Sequence, residues 1–173
     1  NSGQDWHFSV TGTQAPSFVM DGVKDAAAQQ VAVNGSRHLY AALSGTSLYV
    51  ATEDAGEGND VFIYMARTPG ALTTANWAKA GQIAQWDAYL ADENDNDYES
   101  WFDASGATQA GTGANGGVLE GVIDLVGEFG SMPTQVYLAV GAFATTNGGA
   151  LVPSQQVPAS VNANGTLDAS EYM

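Results

Sequence analysis

Residues 160–171, S-V-N-A-N-G-T-L-D-A-S-E, place oxygen-bearing groups at the intervals a calcium ion needs. Ser160, Asn162 and Asn164 stand at positions one, three and five of an EF-hand-type loop. Gly165 suits the sharp turn at six, and Thr166 offers a carbonyl at seven. Asp168 fills nine, and Glu171 is the two-oxygen ligand at twelve. Leu167, at eight, is an apolar anchor. Calcium takes six to eight oxygens, and this spacing wraps them round one point. Two features depart from the pattern. Ser160 stands where an Asp is usual, which removes a charge and weakens affinity. Pro158 opposes a long entering helix, and no exiting helix is expected before Met173. The same residues also read as an Asn-Gly hairpin or a frayed end, and from sequence both readings stand.

A second stretch, residues 86–103, mixes acids with aromatic rings. Asp87, Asp92, Glu93, Asp95, Asp97, Glu99 and Asp103 lie there with no Lys or Arg between them. Trp86, Tyr89, Tyr98, Trp101 and Phe102 lie among them. Carboxylates this dense need water or a hard cation, and the aromatics argue against a disordered acidic tail. A sugar has apolar C–H faces and a hydroxyl rim, so rings beside carboxylates suit it. Trp86, Trp101 and Tyr98 are the candidate stacking residues, and Asp87 and Glu99 the candidate hydroxyl acceptors. In a continuous strand Trp86 would share a face with Ala84 and Ala88, which leaves its ring accessible. The competing reading puts both tryptophans in the core. Asp92, Asn94 and Asn96 echo a calcium loop, but Asp97 replaces the required Gly, which favours a solvated turn. The acidic residues 53–60 fit a cation loop and a solvated loop equally well.

Catalytic chemistry has little to draw on. The chain has two histidines, His7 and His38, not at metal-ligand spacing, and no cysteine. No G-x-S-x-G, H-E-x-x-H or phosphate loop occurs. Asp87 with Glu99 could form a glycosidase pair in principle, but the sequence does not fix their separation. A non-catalytic protein is expected.

The elements that must position these residues are short and extended. Residues 5–13, 31–33, 38–43, 47–52, 61–66, 82–91, 98–103, 118–125 and 135–144 read as strands, with short extended pieces at 151–152 and 156–157. Residues 61–66, V-F-I-Y-M-A, are apolar on both faces and belong in the middle of a sheet. Residues 92–97 read as a turn and 105–117 as a loop. Single helical turns are expected at 26–30 and 126–130, and a short helix capped by Thr73 or Thr74 within 71–79. About nine or ten short strands without a long helix make an all-β antiparallel sandwich, jelly-roll or immunoglobulin-like. Residues 1–159 form that domain, and 160–173 a calcium-loop tail packed on it or trailing it.

The 173 residues suffice for one domain with a core, and 45% of them are hydrophobic. Net charge is -15, which repels nucleic acid and anionic membranes and favours cations. No apolar run approaches the roughly 20 residues that span a bilayer. The chain opens without a signal peptide, as a mature or excised end would.

The strings M-D-G-V-K-D at 20–25, H-L-Y-A-A-L at 38–43, S-L-Y-V-A-T-E at 47–53 and N-D-V-F-I-Y at 59–64 form a series. So do V-L-E-G-V-I-D-L at 118–125 and V-Y-L-A-V-G at 136–141. Together they resemble DOMON-like β-sandwich domains, which include family 9 carbohydrate-binding modules and the terminal domain of glucodextranase-type enzymes. The lead-in departs from family 9 in having Ala26–Ala28 where a Trp often follows. The resemblance implies a secreted or cell-surface, non-catalytic module of a larger bacterial polysaccharide-active protein. It would bind a polysaccharide or oligosaccharide with calcium fixing its loops; the negative charge favours a neutral glycan and, with the lack of a long apolar run, opposes nucleic acid and membrane insertion. Two alternatives stand beside it. One is a structural or adhesive calcium-binding surface domain. The other is a haem-binding DOMON domain with Met65 or Met20 and His38 as axial ligands.

Overall fold

The computed structural model describes residues 17–53, 58–94, 98–111 and 117–173. The expected first strand at 5–13, with His7, and parts of the 53–60, 92–97 and 105–117 segments lie outside the described residues. In chain order the strands are β1 (Gln29–Asn34), β2 (Arg37–Ser44), β3 (Ser47–Glu53), β4 (Asn59–Ala66), β5 (Leu72–Thr74), β6 (Gln82–Ala84), β7 (Ala88–Glu93), β8 (Tyr98–Phe102), β9 (Ala107–Gly111), β10 (Val118–Asp124) and β11 (Tyr137–Ala144). A short helix, α1 (Leu125–Phe129), and 3₁₀ turns at Pro153–Gln155 and Ala169–Glu171 complete the elements among the described residues.

The result is an all-β sandwich of antiparallel sheets. The first sheet runs β1-β2-β3-β10-β9, the second β11-β4-β7-β8, and β5 pairs with β6 apart from both. Two-residue turns make the first hairpins. Gly35-Ser36 turns β1 into β2, one residue on from the Asn34-Gly35 signal, with Gly35 at φ 61°, a left-handed backbone that glycine adopts without strain. Alternation sets the faces. Leu39 and Ala41 of β2, Val50 of β3, Ile63 and Met65 of β4, Leu90 of β7, Ile123 of β10 and Val140 of β11 meet between the sheets.

The other faces are also covered. Phe62, Tyr64 and Ala66 of β4 point away from the inter-sheet core into a second core with Tyr89, Phe143, Ile83, Leu151, Leu167 and Tyr172. The apolar character of β4 on both faces thus follows from two apolar neighbours, and its place between β11 and β7 agrees with the central position its sequence requires. On the first sheet, Phe18, Met20 and Ala28 cover Tyr49 and Ala51.

Four local expectations change. Residues 82–91 are not one strand. Gln85 N–H bonds to Ala71 O (2.9 Å), Asp87 N–H to Met65 O (2.8 Å), and Asp87 Oδ2 accepts from Arg67 N–H (2.7 Å). These bonds break the run, so β6 pairs with β5 and β7 joins the second sheet. Residues 71–79 form β5 and a turn instead of a helix, with Trp77 and Ala78 both left-handed (φ 51° and 54°). Within 105–117, residues 107–111 form edge strand β9 paired with β10. The turn expected at 26–30 is confined to 26–27, and β1 begins at Gln29. The helical turn at 126–130 forms as α1. Asp124 Oδ1 accepts from Val126 N–H at its start (3.2 Å), and left-handed Gly130 ends it.

Candidate functional site

The tail gathers the predicted calcium-loop residues into one ring. Glu171 Oε1 accepts from Ser160 Oγ–H and from Val161 N–H, both at 2.8 Å. Its Oε2 accepts from Asp168 N–H at 2.8 Å. Asp168 Oδ2 accepts from the amides of Asn162 (2.8 Å) and Asn164 (3.1 Å). Asn162 Oδ1 and Asn164 Oδ1 accept from the backbone two residues on, at Asn164 and Thr166. Loop positions one, three, five, nine and twelve are therefore bonded to one another around the turn, and Thr166 closes the second of the two Asx-type steps. The Glu171 side chain is buried without a cationic partner among the described residues. Asp168 and Glu171 also form a capping box around the last 3₁₀ turn. Among the described residues no group of three or more His, Cys, Asp or Glu could hold a metal ion. The loop's other candidate oxygens come from Ser, Asn and a carbonyl, so a cation held there would be a hard, oxygen-preferring one.

The position-eight residue anchors this ring to the sandwich. Leu167 is buried in the second core and bridges Ile83 of β6. Its N–H donates to Gln82 O (3.0 Å), and its carbonyl accepts from Ala84 N–H (2.7 Å). Tyr172 O–H donates to Ala84 O (3.2 Å), and Met173 exchanges two backbone bonds with Leu138 of β11.

The five predicted sugar-contacting residues do not share one face. Trp101 turns inward. Its ring packs on the inter-sheet core, its Nε1–H donates to Gln109 O (3.2 Å), and it lies over Gly121, where a Cβ would meet Nε1 at 2.8 Å. Alternation puts Glu99 on the same side of β8 as Trp101. Tyr98 and Phe102 occupy the other side. Tyr98 is 53% exposed and meets Phe102 edge-on at 6.4 Å, and Phe102 stacks on Tyr89 at 5.0 Å. Trp86 also lies on that side, edge-on to Tyr89 at 4.8 Å. It does not share a face with both Ala84 and Ala88, because the break at 85–87 puts Ala88 in the inter-sheet core. Asp87 is half-buried and holds Arg67 N–H.

The accessible side of Trp86 opens on a cleft of about 360 Å³ lined by Ala71, Leu72, Thr73, Gln85 and Trp86. An aromatic, an exposed Leu, a hydroxyl and an amide meet there. The sequence drew attention to Trp86 alone. Apart from its neighbour Gln85, its partners come from residues 71–73, which read as a helix start, so no local pattern links them.

Two further constellations carry charge. Glu120 is fully buried under the lead-in, where Oε1 accepts from the N–H groups of Asp21 (2.7 Å) and Gly22 (2.6 Å) and Oε2 from Tyr49 O–H (2.6 Å). Burial raises its carboxyl above the usual glutamate value, against these three bonds. Burial and the bond to Glu120 also push the Tyr49 hydroxyl up. His38 Nδ1 meets Glu53 Oε1 at 2.6 Å, and its ring stacks on Tyr40. His38 sits on the outer face of the first sheet with Tyr40, whereas Met65 lies between the sheets, so the first sheet separates those two haem-ligand candidates. Met20 borders the same outer layer as His38, whose Nδ1 is committed to Glu53.

Compared with family models, curated proteins and solved structures, the chain matches none.

Proposed function

We propose that this chain is a non-catalytic, calcium-binding β-sandwich module of a secreted or cell-surface protein, of the DOMON-like kind its strand motifs resemble. The observation that supports it is the ring at 160–171, where residues at EF-hand spacing converge and a buried carboxylate, Glu171, has no cation beside it among the described residues. The loop oxygens accept from amide and hydroxyl groups of the loop itself. A calcium ion at the centre would take over the Asp168 and Glu171 oxygens. The test is thermal unfolding and titration calorimetry in calcium and in chelator. At calcium one hundred times its Kd the native state gains about 2.7 kcal/mol. Identical melting curves with no heat of binding reject the reading. Glu171→Gln removes the response; it also lowers the melting temperature in chelator, because the new amide N–H faces a buried donor, so the response is the difference between calcium and chelator within each variant.

The cleft at Trp86 favours a ligand as well. A neutral glycan suits it, because the ring offers a stacking edge, Thr73 and Gln85 offer hydroxyl partners, and the field of a -15 chain opposes polyanions. Tyr98 remains a candidate platform beside Phe102. Trp101 and Glu99 leave the proposed ligand face. A glycan array in calcium, repeated with Trp86→Ala and Leu72→Asp, tests this. Binding that survives both variants places the ligand elsewhere. Turnover of a bound polysaccharide by the purified chain would overturn the non-catalytic assignment.

A further inference from the structure

The tail loop and the Trp86 cleft share one strand. β6 is only three residues long, and its two edges have different partners. On one edge it pairs with β5, Leu72 to Ala84, Thr73 to Ile83 and Thr74 to Gln82. On the other, Gln82 and Ala84 bond to Leu167 of the tail. Gly81, at the entry to β6, lies so close to the tail that a Cβ there would meet Gly165 O at 2.7 Å. Tyr172 adds a hydroxyl bond to Ala84 O.

A two-stranded ribbon this short is marginal by itself. All three β5 residues are exposed, so β5 contributes little burial of its own. What fixes the ribbon is Ile83, fully buried against Leu167 and the outer face of the second sheet. The cleft is built directly on this ribbon. Leu72 and Thr73 belong to β5, Ala71 precedes it, and Gln85 and Trp86 follow β6. Two bonds join its walls, Gln85 N–H to Ala71 O (2.9 Å) and Gly70 N–H to Gln85 O (3.3 Å). Neither involves the tail.

We infer that the tail is a strap that holds the β5–β6 ribbon against the second sheet, so that ordering of the 160–171 loop sets the shape of the Trp86 cleft. The strap rests on the contacts above. Its control by calcium rests on the metal reading of the loop. Linkage then makes the coupling reciprocal: calcium tightens cleft binding, and a cleft ligand tightens calcium by the same factor.

Amide hydrogen exchange of the full chain, with calcium chloride and with EGTA as the two conditions, tests both layers. The reporters are Gln85 and Gly70, which touch no tail residue through their N–H groups. Calcium should slow both by about tenfold or more, a local opening free energy of the usual coupling size. Leu167→Ala should speed both in either condition, and by more than it speeds Val50 and Ile63, inter-sheet core residues that report global unfolding. If Leu167→Ala does not fold, Tyr172→Phe removes one strap bond and should shift the same reporters in the same direction. Calcium protection confined to 160–171, with Gln85 and Gly70 unchanged, overturns the coupling and leaves the metal site standing. No calcium response anywhere, with no heat of binding, overturns the metal reading. The variants then decide the strap alone: unchanged exchange at Gln85 and Gly70 rejects it, and faster exchange upholds it without that effector.

Discussion

Lys79 and Asp60 form a buried ion pair at 2.7 Å, each side chain 2% exposed. Lys79 Nζ also donates to the carbonyls of Ala144 (2.9 Å), Thr145 (2.7 Å) and Thr146 (3.3 Å), and Asp60 Oδ1 accepts from Asn94 N–H (3.3 Å). The pair ties the 75–81 turn to β4 and the end of β11. Removing one partner leaves a buried charge uncompensated, so Lys79→Ala should cost about 3–5 kcal/mol in denaturant unfolding. Lys79→Met with Asp60→Asn should cost less than the single change, because no charge is stranded. Glu120 makes the opposite kind of statement. Its carboxyl is raised in the folded state, so the folded chain keeps a proton that the unfolded chain has already lost. That group's contribution to stability therefore falls as pH rises through the window above the usual glutamate value, and stays low beyond it. The melting temperature of the native chain minus that of Glu120→Gln should decline as pH rises above the usual glutamate value. A difference that is flat or grows with pH would reject this account.

At the scale of elements, the strands that make both hairpins of the first sheet, the central β4 and the closing β10 and β11 were legible, because each carries alternation or an apolar run bounded by a turn. β9 was not, since A-T-Q-A-G has neither β-branched density nor a hydrophobic face and is held by pairing with β10. The 82–91 run misled because its composition is strand-like throughout, whereas side-chain and backbone bonds from Arg67, Ala71 and Met65 break it at 85–87. The calcium-loop spacing was fully local, so its residues could be named without the fold. The proposed ligand face was not local: Trp101 and Glu99 look equivalent to Trp86 and Tyr98 until the phase of β8 and the break at 85–87 assign each side chain to a side. Trp101 seated over Gly121 gives a test of that phase. Gly121→Ala should cost about 1–3 kcal/mol by overpacking against Trp101 and Leu90. Trp101→Ala should cost about 3 kcal/mol, the low end for a ring that is half-buried. The double variant should cost less than the sum, since truncating the indole frees space for the new methyl. Strict additivity would mean that the ring does not occupy the Gly121 notch.

At the scale of the whole molecule, the charge balance is more one-sided than the composition alone conveys. The chain has four basic side chains against nineteen acidic ones. Lys79 and Arg37 are buried, the former on Asp60 and the latter with its guanidinium on Glu53 O and Gln155. Lys24 donates to the carbonyls of Asp25 and Ala28 and lies over the Tyr40 ring, and Arg67 lies over Phe129. Two of the four cations are buried, and Lys24 and the exposed Arg67 are the other two, so carboxylates dominate the surface field. Such a field opposes the compact state and weakens as salt shortens its range, with a Debye length of about 30 Å at 0.01 M and about 10 Å at 0.1 M. The melting temperature should therefore rise steadily from low salt to about 0.5 M sodium chloride, with the steepest part below about 0.1 M. Calcium separates site from field. At about 1 mM it adds little screening, so a rise there that is lost in Glu171→Gln belongs to the loop, whereas a rise that persists in that variant belongs to diffuse attraction of a divalent ion. Magnesium is the control: it matches calcium as a diffuse counterion but dehydrates reluctantly and demands octahedral geometry. Equal stabilisation by the two ions, in the native chain and in Glu171→Gln alike, would assign the whole effect to the field and none to the 160–171 ring.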